Sequence, residues 1–302
     1  MKIFFYKIVG RLSLFLDCFK ETVLINQEEK EHKKGKDIYD RTGLLTEKSV
    51  KTLKVNYKDK DIIFPLYKSF SHSFWRAQEL SLFYKYKNYI VSPILDFGCG
   101  DGSFSANLFD QIDYGLDYDE KSLEIAKKLG IYKYILKTNS LVIPLANCSI
   151  RTVIANSVLE HVKELDLILK EIKRVLVEKG LLIFTVTTSK FSEHLIKFFG
   201  KKECEKINRE YYHKNLLSLS DWEKKLRMYG FSIEKVQHYQ DEIFTFWYRI
   251  SRIFGKHGLA RLYPNISELI YKVFNRQITK MIYKAIDVPD EGANIFIISR
   301  KC

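Results

Sequence analysis

Between residues 93 and 188 short apolar runs take turns with amphipathic stretches, and no other feature narrows the fold as far. Runs at 94–97, 114–117, 132–136, 152–155 and 181–187 are each long enough for one buried strand. The stretches between them carry apolar residues at helical spacing. Leu123, Ile125 and Ala126 do so over 120–129, and Leu165, Ile168, Leu169, Ile172, Val175 and Leu176 over 165–178. A shorter helix is expected at 103–109. Gly130 and Gly180 stand where two of the helices would stop. Strands that alternate with helices build a parallel sheet covered on both faces. Two more strand patterns, at 231–239 and 294–299, bring the expected count to seven. The fold class is α/β: a doubly wound, mostly parallel sheet.

The flanks read differently. Phe5, Ile8, Val9, Leu12, Phe15, Leu16, Phe19 and Val23 predict an amphipathic helix over 3–24. Lys2, Lys7, Arg11 and Asp17 interrupt it too often for a membrane span. Residues 26–61 are polar and lysine-rich, and are expected to form a weakly structured arm. A helix capped by Ser71 or Ser73 follows and runs to about 90, with His72, Trp75 and Arg76 as candidates to line the mouth of a site. Residues 189–217 look irregular. Ser220-Asp221-Trp222-Glu223 resembles a capping box opening a helix that closes at Gly230. Helical patterns fill 241–286. The expected organisation is an amino-terminal helix and basic arm (1–62), a core with its lid helix (63–240), a helical insertion covering the substrate (241–292) and a last core strand (293–302).

Charge and cysteine content bound the partners. The net charge is +13. Residues 1–95 hold 18 Lys and Arg against 11 acids, whereas 96–240 hold 22 against 20. The excess therefore lies on the flanks, which suits either an anionic partner or a solubilising surface. Cys18, Cys99, Cys148, Cys204 and Cys302 include no Cys-x-x-Cys pair. That spacing argues against a disulfide framework and a zinc cluster, and fits a cytoplasmic protein.

The first strand runs into Asp96-Phe97-Gly98-Cys99-Gly100-Asp101-Gly102. Glycines tolerate positive φ and let a ligand approach the backbone. Dinucleotide sites favour Gly-x-Gly-x-x-Gly; here Ser103 takes the last position and the third glycine comes one residue early. Asp117 ends the second strand, 17 residues past Gly100, where a carboxylate can accept both hydroxyls of a ribose.

The run 94–102 resembles the first motif of class I S-adenosylmethionine-dependent methyltransferases. Tyr114-Gly115-Leu116-Asp117-Tyr118-Asp119 is similar to the second, and Ala155-Asn156-Ser157-Val158-Leu159-Glu160-His161-Val162 to the segment after the fourth strand. The small-molecule branch that includes quinone-biosynthesis enzymes is the nearest type. The resemblance implies S-adenosylmethionine as cofactor. It assigns Asp96 to the methionine ammonium, the loop Gly98, Cys99, Gly100 and Gly102 to the methionine part, Asp117 to the ribose and Tyr118 to the adenine. Asn139, with Ser140, falls where the family usually places an acid against the adenine amine. Asn156 would face the sulfonium. In related quinone enzymes a Glu-His pair with a further Glu three residues earlier can hold a divalent metal. Ser157 stands in that earlier place, so no metal is expected.

Methyl transfer needs alignment and, for a hydroxyl or protonated amine, a proton acceptor. His161 is one candidate base. His213, in Tyr211-Tyr212-His213-Lys214-Asn215, is the other. The expected function is methyl transfer to a hydroxyl or amine of a small-molecule, sugar or lipid-linked acceptor, with peripheral membrane contact through the basic flanks. The alternatives are an RNA methyltransferase, motivated by the basic amino-terminal region, and a non-catalytic scaffold that binds the cofactor. Nucleic acid is disfavoured because no RNA-binding module is visible and no Asn/Asp-Pro-Pro-aromatic tetrad follows the fourth strand.

Overall fold

A computed structural model describes residues 52–58, 60–67, 69–138, 141–254, 266–288 and 291–302. The helix expected at 3–24, most of the arm at 26–61, Asn139, Ser140 and residues 255–265 of the insertion lie outside the described residues.

The described chain opens with an antiparallel hairpin, β1 (Thr52–Tyr57) and β2 (Lys60–Pro65), in which Thr52 faces Pro65 and Tyr57 faces Lys60. An arm was expected to run through residue 61. Lys54, Lys58 and Lys60 disguise the strand, yet Leu53, Val55 and Tyr57 alternate correctly for it. Next comes α1 (Phe70–Lys85). Its cap is Ser69, without a side-chain capping bond, rather than Ser71 or Ser73. Ser73 Oγ instead accepts from the Tyr67 amide at 2.9 Å.

Seven strands form the main sheet: β3 (Ile94–Phe97), β4 (Ile112–Asp117), β5 (Tyr132–Lys137), β6 (Ile150–Asn156), β7 (Leu176–Thr187), β8 (Phe231–Tyr239) and β9 (Asn294–Lys301). Their spatial order is β5-β4-β3-β6-β7-β9-β8, and only β9 runs against its neighbours. Alternate residues of each strand feed opposite faces. Ile94, Phe296 and Ile298 join one core with α1, the hairpin and α2 (Glu120–Leu129). Leu95, Ile295 and Ile297 join the other with α3 (Leu165–Val175). Gly130 closes α2 in a left-handed conformation, as its position predicts.

Three local expectations change. First, the helix expected at 103–109 is only a 3-10 turn, Ser105–Asn107. Asp101 Oδ1 accepts from both the amide and the hydroxyl of Ser103, at 2.9 and 2.6 Å. Such local bonds compete with helix initiation. Second, α3 ends at Val175 and β7 begins at once, so Gly180 lies inside a strand. A Cβ there would stand 2.9 Å from the Val177 carbonyl, which explains the glycine without a helix cap. Third, the stretch read as irregular contains α4 (Ser189–Phe199) and α5 (Lys201–Glu210), whose buried faces are small: Phe191 and Leu195, then Cys204 and Ile207.

The next helix, α6 (Leu219–Met228), is capped by Ser218, two residues before the expected box. Ser218 Oγ accepts from the Asp221 amide at 3.2 Å and donates to the Asp221 carboxylate at 2.6 Å. Among the described residues two helices interrupt the chain before the last strand, α7 (Glu242–Phe254) and α8 (Ile266–Ile286). They pack with the hairpin around α1: Phe64 stacks on Tyr271 with ring centroids 4.5 Å apart, and Phe74 on Phe244 at 4.4 Å.

Candidate active site

Strand β3 pairs with β4 on one side and with β6 on the other, so the chain reverses its winding there. Open α/β sheets bind ligands outside the carboxyl ends of the strands at such a point.

The glycine turn is built onto β4. The Gly98 and Cys99 amides both donate to the Leu116 carbonyl, at 2.8 and 3.0 Å. The Gly100 amide donates to Asp117 Oδ2 at 2.8 Å. A Cβ on Gly98 would lie 2.5 Å from Val158, and one on Gly102 would lie 2.9 Å from the Tyr132 ring. Those two glycines serve packing. Gly100 (φ +53°) differs, because its Cβ position has no described atom within 4 Å. The turn is open at that residue. Cys99 is buried, and burial pushes its thiol pKa far up.

The two acids differ in what remains free. Asp117 Oδ1 accepts from the Tyr118 and Asp119 amides at 2.7 and 2.9 Å. Counting Gly100, three of about four acceptor positions on this carboxylate are used, and the remaining one is on Oδ2. Tyr118 is 76% exposed, which leaves a ring face available. Asp96 is buried and accepts through Oδ2 from Ser105 Oγ and Tyr132 OH, both at 2.6 Å. Burial pushes its carboxyl up to about 6, against the pull of those two bonds. Oδ1 has no partner among the described residues. Sequence reasoning missed Ser105 and Tyr132, although Gly115 signals the tyrosine. A Cβ at Gly115 would meet the Tyr132 ring at 2.8 Å, so the mid-strand glycine lets the ring cross to Asp96.

A third missed residue ties α1 to this end of the sheet. Glu79 is fully buried. Its Oε1 accepts from Trp75 Nε1 at 2.9 Å, Ser157 Oγ at 2.7 Å and Tyr239 OH at 3.3 Å. Its Oε2 accepts from Arg76 Nη1 at 2.5 Å and Asn156 Nδ2 at 3.1 Å. Asn156 is engaged at both ends, because its Oδ1 accepts from Thr185 Oγ1 at 2.8 Å. Trp75 and Arg76 thus meet the post-β6 residues, while His72 remains exposed with its ring edge-on to Tyr67. A glutamate beside Leu80 reads as a solvated helix position. Only its spacing to Trp75 (i, i+4) and Arg76 (i, i+3) hints at a shared partner.

The two candidate bases come together although 52 residues separate them. The Lys214 and Asn215 amides donate to the Glu160 carbonyl at 2.8 and 2.9 Å. The Asn215 side chain donates to the Leu159 and Val162 carbonyls at 3.1 and 2.5 Å. These bonds clip 213–215 onto the turn after β6. The His161 and His213 rings stack 5.3 Å apart at 20°. Burial and the neighbouring His161 bring His213 down to about 4, and burial lowers His161 as well. Both imidazoles are therefore neutral at pH 7. Glu160 beneath them is buried, and burial raises its carboxyl to about 8. Its Oε1 accepts from the Thr187 amide at 3.3 Å, and its Oε2 has no partner among the described residues. No group of three or more His, Cys, Asp or Glu among the described residues is placed to hold a metal ion.

Residues 95–184 match the family model described as a methyltransferase domain. Over those residues the chain carries a methyltransferase domain. Its seven-stranded sheet is similar to that of a SAM-dependent methyltransferase from Thermotoga maritima, at 20% identity, covering 77% of this chain and 91% of that one, with a TM-score of 0.50. At that identity the likeness concerns the fold. Also similar are the [4+2]-cyclase SpnF (19% identity, 69% and 73% covered, TM-score 0.46) and geranyl diphosphate C-methyltransferase from Streptomyces coelicolor A3(2) (13%, 69% and 70%, 0.45). No curated protein sequence matches the chain. The sequence resemblance implies S-adenosylmethionine as the cofactor. The crevice fits it on three counts: an open Cβ position at Gly100, an unpartnered Asp96 oxygen and a spare acceptor on Asp117.

Proposed function

We propose that this methyltransferase domain transfers a methyl group from S-adenosylmethionine to a hydroxyl or amine of a small acceptor, with His213 as the proton acceptor. When bound, the cofactor supplies a methyl carbon on a sulfonium; the acceptor lone pair forms the new bond and the electrons of the broken C–S bond stay on sulfur. The chain's own residues hold and orient. Asp96 Oδ1 would take the ammonium of the methionine part, the open side of Gly100 would let the backbone approach it, Asp117 would accept from the ribose, and Tyr118 would pack on the adenine.

One observation carries the assignment of the base: a stacked pair of neutral imidazoles clipped beside the carboxyl end of β6. A base must be unprotonated at working pH, and burial keeps both rings so. The acceptor would enter beneath α1, α4 and α7, beside the half-buried Trp75, which packs on the buried rings of Phe191 and Tyr248. Such a lining suits an acceptor with a flat or apolar body. We assign residues 65–90, 189–217 and the described part of 241–286 to this cover.

The test follows label from methyl-labelled S-adenosylmethionine into cell-extract fractions of lipid, glycan, RNA and small molecules. Label is expected in a small-molecule or lipid-linked pool, and His213→Ala should cut its rate by roughly a hundredfold with cofactor affinity unchanged. Label in RNA would replace this reading with the RNA methyltransferase, and an unchanged rate in the variant would remove His213 from the chemistry.

A further inference from the structure

A chain of hydrogen bonds behind His213 is unused by the roles assigned so far. His213 Nδ1 lies 3.0 Å from Asn208 Oδ1, on α5. The backbone amide of His213 donates to the Asn208 carbonyl at 3.1 Å, so one asparagine holds both the main chain and the ring of the histidine. The far side of the asparagine is also held. Its Nδ2 donates to Ser192 Oγ at 3.0 Å and to Cys204 Sγ at 3.5 Å. Cys204 in turn donates its S–H to the Ser192 carbonyl at 3.7 Å.

The order of donors in this chain is fixed by its last member. The thiol hydrogen of Cys204 is committed to Ser192, so the sulfur can only accept from Asn208. The group facing Cys204 must then be the asparagine NH₂, and the group facing His213 must be its carbonyl oxygen. A carbonyl cannot donate, so the hydrogen between Asn208 and His213 belongs to Nδ1. In a neutral imidazole with its hydrogen on Nδ1, the other nitrogen carries the lone pair.

We propose that Asn208 is a positioning residue: it fixes His213 as the Nδ1–H tautomer and so presents Nε2 as the proton acceptor. The proposal rests on His213 being the base. During transfer, the proton leaving the acceptor oxygen or nitrogen goes to Nε2, and the imidazolium that forms donates through Nδ1 to the same asparagine oxygen. Free histidine in water favours the opposite tautomer, with its hydrogen on Nε2. An unheld ring would therefore spend most of its time unable to accept at that position. Phe191 and Tyr211 meet the ring at 83° and 66°, and His161 stacks on its face, so neighbouring rings restrict rotation while Asn208 selects the hydrogen.

The experiment is nitrogen NMR of the full chain labelled with ¹⁵N-histidine, with the His213 signals assigned by their loss in His213→Gln. In the unsubstituted protein, Nδ1 is expected at the protonated ring-nitrogen shift and Nε2 at the unprotonated one. Asn208→Ala should move the ring toward the Nε2–H form. Asn208→Asp keeps an acceptor at the same place and should preserve the Nδ1–H form. A thermal melt of each variant confirms that it is folded. Label transfer from methyl-labelled S-adenosylmethionine into the accepting extract fraction should fall roughly tenfold or more in Asn208→Ala and be largely restored in Asn208→Asp. An Nε2–H tautomer in the unsubstituted protein, or a tautomer indifferent to Asn208→Ala, would overturn the proposal. A confirmed tautomer with undiminished transfer in His213→Gln would instead leave the hydrogen-bond chain standing and sink the reading of His213 as base.

Discussion

Individual side chains set the pH behaviour of the site. Asp96 is buried with its carboxyl up at about 6, yet a methionine ammonium needs it ionised. Below that pH a proton must leave before the cation can bind. Calorimetric titration of S-adenosylmethionine should therefore show affinity falling about tenfold per pH unit below roughly pH 6. A flat profile down to pH 5 would separate Asp96 from the ammonium. Glu160 acts on stability. Its folded value, about 8, lies above the ordinary glutamate value, so the folded state holds a proton that the unfolded chain has released. Its contribution is present below pH 4.5 and is lost as pH rises toward 8. Keeping that proton bound at neutral pH, where the unfolded chain has released it, costs on the order of 3 kcal/mol of stability. Glu160→Gln should flatten the decline in stability between pH 5 and 8, measured by urea unfolding. The same decline in the variant would place its cause elsewhere.

At the scale of elements, the sheet was legible because buried parallel strands are short, apolar and regularly spaced, and all seven expected strands are present. What escaped were elements with weak apolar signals. Helix α5 buries only Cys204 and Ile207 along a largely charged sequence, and lysines veil the hairpin β1–β2. Helix ends shifted because serines and aspartates compete locally, as Asp101 and Ser218 do. At the site, the motif residues Asp96, Gly100 and Asp117 lie together as their spacing suggests. Glu79 and Tyr132 were invisible because their site partners are distant in sequence, whereas Ser105 and Asn208 lie near theirs but read as ordinary polar positions. Helix α6 illustrates a legible anchor. Trp222 is fully buried on Phe184, with ring centroids 5.2 Å apart. Trp222→Ala should cost about 3–5 kcal/mol, read from chemical denaturation. A loss below about 1 kcal/mol would mean that the helix is not fastened there.

Across the whole molecule, the carboxyl end of the sheet gathers everything that could act on a ligand. The turn after β3 offers an open backbone, β4 ends in an acid, and α1 is bound to the end of β6 through Glu79. The segment 213–215 brings a second histidine to the first. None of the described helices is long and apolar enough to cross a membrane. In sequence the excess positive charge lies on the flanks, whereas the inner groups of this crevice are acids, neutral imidazoles and Arg76, which is paired with Glu79. The most direct measurement of the central claim is calorimetric titration of the full chain with S-adenosylmethionine and, separately, with NAD. Saturable one-to-one binding of S-adenosylmethionine with no comparable heat from NAD is the predicted result. Tighter binding of NAD, or no binding of S-adenosylmethionine at neutral pH, would contradict it.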